Sequence, residues 1–150
     1  MTTVISDEAH PLDYDQVTPT VYVGSNSCCW GHFNGELLAK GIRGDISLEE
    51  ERLDHPEGID FFLWLPTKDH AAPSRDHVEL GVQTLLYCRD HDIPCYVHCK
   101  NGHGRAPTLV AAFLMRAEGI SAESAVARLK AARPAVHFQE AQVALLKSLA

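Results

Sequence analysis

One hundred and fifty residues suffice for one domain with a sizeable core of its own. With 45% hydrophobic and 22% charged residues the composition is that of a soluble globular chain, and a net charge of −7 argues against the Lys/Arg excess that generic nucleic-acid binding or a basic membrane-anchoring surface requires. No apolar run approaches the roughly 20 residues that span a bilayer, and the acidic, polar opening Met1 to Glu8 is unlike a secretory signal, so cytoplasm is the expected location.

Five cysteines at irregular spacing fit a reducing compartment better than a disulfide framework. Cys28 and Cys29 are adjacent and not expected to bridge each other, whereas Cys88 and Cys95 read as small buried core residues on a helix and a strand.

Residues 1–16 read as a polar lead-in and 17–150 as one domain, with no repeat or Gly/Ser linker. Thr20 to Gly24 predicts a strand ending in a turn, Phe33 to Lys40 a short helix closed by Gly41, and Ile42 to Leu48 a strand interrupted by Asp45. The charge run Glu49 to Asp54 reads as a solvated loop or helical turn. Ile59 to Leu65 is the next strand, ended by Pro66. A polar loop, Thr67 to Ser74, leads into a helix over Arg75 to Asp90 whose apolar residues keep helical spacing. A buried strand over Ile93 to Val97 precedes a glycine-containing loop and a helix with Pro107 in its first turn. Helices over Ala122 to Ala132 and Gln139 to Leu149 close the chain. Strands alternating with helices predict an α/β fold: a central, mostly parallel sheet with helices on both faces.

The loop between the last strand and its helix carries the chemistry. Val97 to Thr108 places Cys99 and Arg105 six positions apart, with Gly102 and Gly104 between them. A strand-to-helix loop can converge its backbone N–H groups on one point at a helix N-terminus, which suits phosphate. Gly102 and Gly104 let that backbone curl, and the planar fork of Arg105 matches two phosphate oxygens. The same field favours a nucleophilic thiolate at Cys99. His98 is placed to hydrogen-bond backbone near the sulfur. Lys100, Asn101, Gly102, His103 and Gly104 complete the expected substrate cradle.

His98-Cys99-x-x-Gly102-x-Gly104-Arg105 resembles the signature of the cysteine-dependent protein tyrosine phosphatases, in their dual-specificity branch. Pro19 to Gly24 is similar to that family's opening strand, and Arg133-Pro134 followed by Gln142 to its closing helix. The resemblance implies a phosphatase that hydrolyses phosphomonoesters on phosphotyrosine, with phosphoserine and phosphothreonine open beside it, through a phosphocysteine intermediate. Its substrates would be a phosphorylated protein or a small phosphomonoester, with no cofactor, no metal, no nucleic acid and no membrane partner. The leaving oxygen needs a proton. Asp69, 30 residues before Cys99, lies where the family carries its acid; Asp76, at a helix start, is the alternative and reads better as a helix-terminal charge.

In one place the sequence departs from the family pattern. After Arg105 most members have Ser or Thr, and here the residue is Ala106, with Thr108 the first hydroxyl available as a substitute. Lys100 and His103 are two extra potential cations. They would favour a substrate with more than one phosphate, as in inositol- or phosphoinositide-directed members, although the plainer and preferred reading points both to solvent. Beside the protein phosphatase stand that lipid-directed reading, a non-catalytic phosphate-recognition module, and a rhodanese- or arsenate-reductase-like enzyme, which the carboxyl-terminal loop and the upstream aspartate disfavour. A zinc set of Cys95, His98, Cys99 and His103 fits no common spacing, and His98 would point away from the cysteines on a strand.

Overall fold

The computed structural model describes residues 11–150. Strands β1 (Tyr14–Thr18), β2 (Val21–Gly24), β3 (Gly44–Glu49), β4 (Phe61–Thr67) and β5 (Cys95–His98) form one sheet in the order β1-β2-β5-β3-β4. Only the β1–β2 pair is antiparallel. Helix α1 (Gly35–Ala39) follows a 3-10 turn over Asn26–Cys29. Helices α2 (Arg75–Asp90), α3 (Arg105–Glu118), α4 (Ala122–Ala132) and α5 (Glu140–Ser148) make up the rest. The mostly parallel sheet with helices on both faces is the predicted architecture.

Strand period sorts the residues onto two unequal faces. Val21, Val23, Ile46, Leu48, Cys95 and Val97 point into a large core shared with α2 to α5. Tyr22 and Tyr96 point the other way, into a smaller cluster with Cys28, Cys29, Phe33, Leu37 and Ile42. Ten consecutive residues of α3, Arg105 to Leu114, are buried, so this helix is the axis of the larger layer. At roughly 1.5–3 kcal/mol per fully buried large apolar side chain, that layer holds the loop preceding α3 in place.

Local chemistry explains where elements start and stop. Helices α2 and α4 begin where expected because Ser74 and Ser121 cap them, accepting from the backbone N–H of His77 and Ser124. Gly119, at φ 65°, ends α3 in the left-handed cap. Three differences from the sequence reading follow from tertiary context. Strand β1 begins at Tyr14, inside the 1–16 stretch read as a lead-in (its first ten residues lie outside those described), because Tyr14 to Thr18 pairs with β2. Strand β4 runs through Pro66 to Thr67. It is an edge strand whose register shifts beside the proline, so the missing N–H breaks no ladder bond.

The third difference is at Cys28 and Cys29, which were not expected to bridge. Their sulfurs are bonded, both inside the 3-10 turn that folds the two side chains into the smaller core. Cys88, Cys95 and Cys99 are free and buried, the first two as core residues. Among the described residues no helix is long and apolar enough to cross a membrane.

Candidate active site

Strand β5 lies centrally, between β2 and β3, and its carboxyl end opens into the Cys99–Gly104 loop. Every carbonyl of this loop is tied to something outside it. The Cys99 carbonyl is 3.1 Å from His98 Nδ1, and that of Lys100 accepts from Asn26 N–H at 3.0 Å. Arg133 donates to Asn101 and Gly102, at 2.8 and 2.9 Å. His137 N–H reaches the His103 carbonyl at 2.7 Å, and Gly104 accepts from both N–H and hydroxyl of Thr108. With the carbonyls drawn outward, the amides of the same peptide planes turn toward the centre, beside the first turn of α3. That is an anion-binding ring.

The glycines are there for space as well as for conformation. Gly102 has φ 74° and packs so closely on β2 that a Cβ would sit 2.5 Å from the Gly24 carbonyl oxygen. At Gly104 a Cβ would press on the Gln142 amide at 3.1 Å. Gln142 is itself buried, and its Nε2 donates to Ala71, fastening the Asp69 loop to α5.

Inside the ring a polar cavity of about 160 Å³ is lined by Cys99, Lys100, Asn101, His103, Gly104 and Arg105, with Asp69, His70, His137, Gln139 and Gln142 on its wall. Cys99 is 3% exposed, at the loop's start. Arg105 is 2% exposed, and its Nη1 donates to Glu51 at 2.6 Å and to the Thr67 carbonyl at 2.8 Å, while Nη2 reaches Glu51 at 3.0 Å. Both Nη1 hydrogens are therefore used. The Nε–H and the remaining Nη2 hydrogen are left along one edge for two oxygens of a tetrahedral anion. Asp69 Oδ1 stands 3.4 Å from Nη2, half-exposed, before His70 at φ 68°. Asp76 is in the first turn of α2 and does not line this cavity.

Sequence reasoning had gathered Cys99 to Arg105 and Asp69, and the fold brings them together. Lys100 is exposed and His103 half-buried, and both also line the cavity. Burial, then the nearby Arg133, lowers the His103 pKa and favours neutral imidazole. Thr108 is differently placed from expectation: its hydroxyl donates to Gly104 at 2.7 Å and is spent on shaping the loop, so it does not replace the hydroxyl absent at Ala106.

The charge run is solvated only in part, with Glu50, Glu51 and Leu53 exposed and both its ends turned inward. Glu49 is buried and accepts from Asn26, Glu51 grips Arg105, and Asp54 is buried against His98. Hydrogen bonding from Arg105 holds the Glu51 carboxyl below the usual carboxylate range. Arg133 was missed as a functional residue. It is 1% exposed and joins Asp13 and Asp15 to the back of the loop. The one available signal was acidic residues flanking Tyr14, over a hundred positions away.

Behind the loop, His98 faces the smaller core. Its Nε2 is 2.7 Å from Asp54 Oδ2 and 3.1 Å from Asp45 Oδ1. Burial alone would lower its pKa, but the negative charges of Asp45 and Asp54 beside it outweigh that and raise it well above the ordinary histidine value. Burial pushes the Asp45 carboxyl up to about 7.

A family model described as "Polymorphic toxin system, DSP-PTPase phosphatase" matches residues 28–119, which include Cys99, Arg105, Asp69 and the charge run. The chain belongs to the DSP-PTPase phosphatases. It is similar, at 36% identity over 95% of its length and 76% of the relative's, to the human "Phosphatidylglycerophosphatase and protein-tyrosine phosphatase 1". It is 45% identical to mouse "Dual specificity phosphatase 28" over 86% of this chain and 78% of that one. The solved structure of PTPMT1 in complex with PI(5)P superposes with a TM-score of 0.78 at 26% identity, covering 91% of this chain and 93% of the other. This DSP-PTPase is thus a cysteine-dependent phosphatase, and the ring around Cys99 is its candidate catalytic centre.

Proposed function

We propose that the phosphatase acts on phosphomonoester headgroups of phospholipid or inositol type. Cys99 Sγ attacks phosphorus as the P–O bond to the leaving group breaks, and Asp69 gives that oxygen its proton. Asp69 then takes a proton from the water that attacks the phosphocysteine, releasing inorganic phosphate and the thiolate. The ring amides and the free edge of Arg105 bind the three equatorial oxygens, where transition-state charge is spread. Glu51 holds the guanidinium in plane for that contact.

The observation that carries the mechanism is the outward anchoring of all six carbonyls from Cys99 to Gly104 around a buried cysteine and arginine. The headgroup preference is supported by Lys100, His103 and His137 at the cavity wall, which offer a second phosphate or a polyol extra partners, and by the likeness to the human phosphatidylglycerophosphatase and to PTPMT1 bound to PI(5)P. A phosphoprotein substrate is the second reading, favoured by the 45% identity to Dual specificity phosphatase 28.

The test is phosphate release, without added metal, from phosphatidylglycerophosphate and phosphoinositides in mixed micelles and from a phosphotyrosine peptide. Cys99→Ser and Asp69→Asn are run beside the wild type. Faster turnover of the lipids, abolished in Cys99→Ser and reduced by about 10²–10⁴-fold in Asp69→Asn, is expected. Preference for the peptide moves the assignment to the second reading, and activity surviving in Cys99→Ser overturns the mechanism.

A further inference from the structure

On the side of His98 away from the cavity, five buried groups converge: the sulfurs of Cys28 and Cys29, the carboxylates of Asp45 and Asp54, and His98 Nε2. One donor atom from each lies within 4.8 Å of all the others. Cys29 Sγ is 3.3 Å from Asp45 Oδ2 and 3.8 Å from His98 Nε2. Of these groups only His98 serves the phosphate loop, through Nδ1, and its Nε2 faces the cluster instead.

The cluster contains an orphan. His98 Nε2 carries one hydrogen, which goes to the nearer acceptor, Asp54 Oδ2; Asp45 Oδ1, at 3.1 Å, is left with no hydrogen-bond partner although the Asp45 side chain is fully buried. Arg52 Nη2, the cation beside Asp54, pairs with its Oδ1 at 3.3 Å. An unpartnered carboxylate oxygen in a protein interior is costly, and here it is aimed at two sulfurs and an imidazole nitrogen. A divalent cation at the common centre answers all of them at once.

We propose that Cys28, Cys29, Asp45 and His98, with Asp54 beside them, form a binding site for a zinc-class divalent metal behind the phosphate loop. Two thiolates with an imidazole select zinc-like ions over magnesium or calcium. Tetrahedral donors on zinc stand about 3.5 Å apart, so a spread of this size closes with small side-chain rotations. The other imidazole nitrogen is already oriented as metal-bound histidines require, since Nδ1–H donates to the Cys99 carbonyl at 3.1 Å and fixes Nε2 as the ligand. The metal is thereby joined to the nucleophile's own peptide, as a structural centre for the loop.

Metal and disulfide exclude each other. Two thiols, themselves oxidised to a disulfide, supply the two electrons and two protons that open the Cys28–Cys29 bond to two thiols; a phosphine supplies the two electrons and becomes the phosphine oxide, with its oxygen and the two protons coming from water. Metal binding then displaces those two protons and the one on His98 Nε2, forming two S–metal bonds, one N–metal bond and one O–metal bond from the Asp45 carboxylate.

The experiment is a cobalt titration of the full chain, reduced by a phosphine and stripped of metal, followed by displacement with zinc. The proposal expects one cobalt per chain with the visible absorption of tetrahedral thiolate-bound cobalt, bleached by one equivalent of zinc. The absorption should persist in Cys99→Ser, vanish in the Cys28→Ser, Cys29→Ser double variant, and need roughly tenfold or more metal in Asp45→Asn. Should the double variant fail to fold, wild type oxidised with diamide removes the same two thiolates and should bind none. No thiolate absorption in reduced wild type overturns the proposal, as does absorption that disappears in Cys99→Ser or survives diamide.

Discussion

Two buried arginines meet the same loop from opposite sides. Arg105 lies inside the ring, 2% exposed, and offers its free edge to the cavity. Arg133 lies outside it, 1% exposed, and spends its donors on the carbonyls of Asn101 and Gly102 and on Asp13 and Asp15. Charge, burial and side chain are alike, yet one is poised for a ligand while the other builds the site the ligand enters. Six backbone dipoles point inward only because something outside takes their carbonyl ends, so the positive interior depends on the outer shell as much as on the signature residues.

This contrast can be broken experimentally. Arg105→Lys, which removes the planar fork and leaves the outer shell intact, should cut kcat by about 10²–10³-fold with little change in the urea unfolding midpoint. Arg133→Met should do the reverse. It orphans two loop carbonyls and two carboxylates and should lower unfolding stability by about 3 kcal/mol, with weakened vanadate binding following from the loosened loop. An Arg133→Met protein as stable as wild type would refute the division of labour.

Glu51→Gln sharpens the comparison from within. The folded-state pKa of Glu51 is depressed, so its pairing with Arg105 stabilises the fold above the ordinary carboxylate value and loses that contribution as pH falls through the depressed one. Unfolding measured across that acid range should show a shallower dependence in the variant. The smallest expected effect is that of Ala106→Ser. A hydroxyl next to Arg105 should raise turnover a few-fold and leave KM nearly unchanged, read by burst and steady-state rates with para-nitrophenyl phosphate.

The same contrast explains what could be read from the chain alone. Cys99, the two loop glycines and Arg105 are local in sequence, and spacing alone brings them together. Helices α2 and α4 were equally readable, because Ser74 and Ser121 carry their caps with them. Arg133, Glu51 and Asp54 were not, since each owes its role to a partner between 44 and 120 positions away. Charge patterning assigned Glu49 to Asp54 to solvent because it knows nothing of an arginine and a histidine arriving later. Thr108 failed for a related reason: a helix's first turn offers a hydroxyl a nearby carbonyl, and Gly104 claims it before any substrate does.

The proline in β4 has a consequence beyond strand length. β4 forms an open margin of the sheet, with Trp64 38% exposed on it, and such a margin is a template on which another polypeptide can extend the sheet. Pro66 deletes one donor from that margin, and the register shift beside it interrupts the row. The residue that sequence reading took for a terminator thus leaves this margin a poorer template for an added strand.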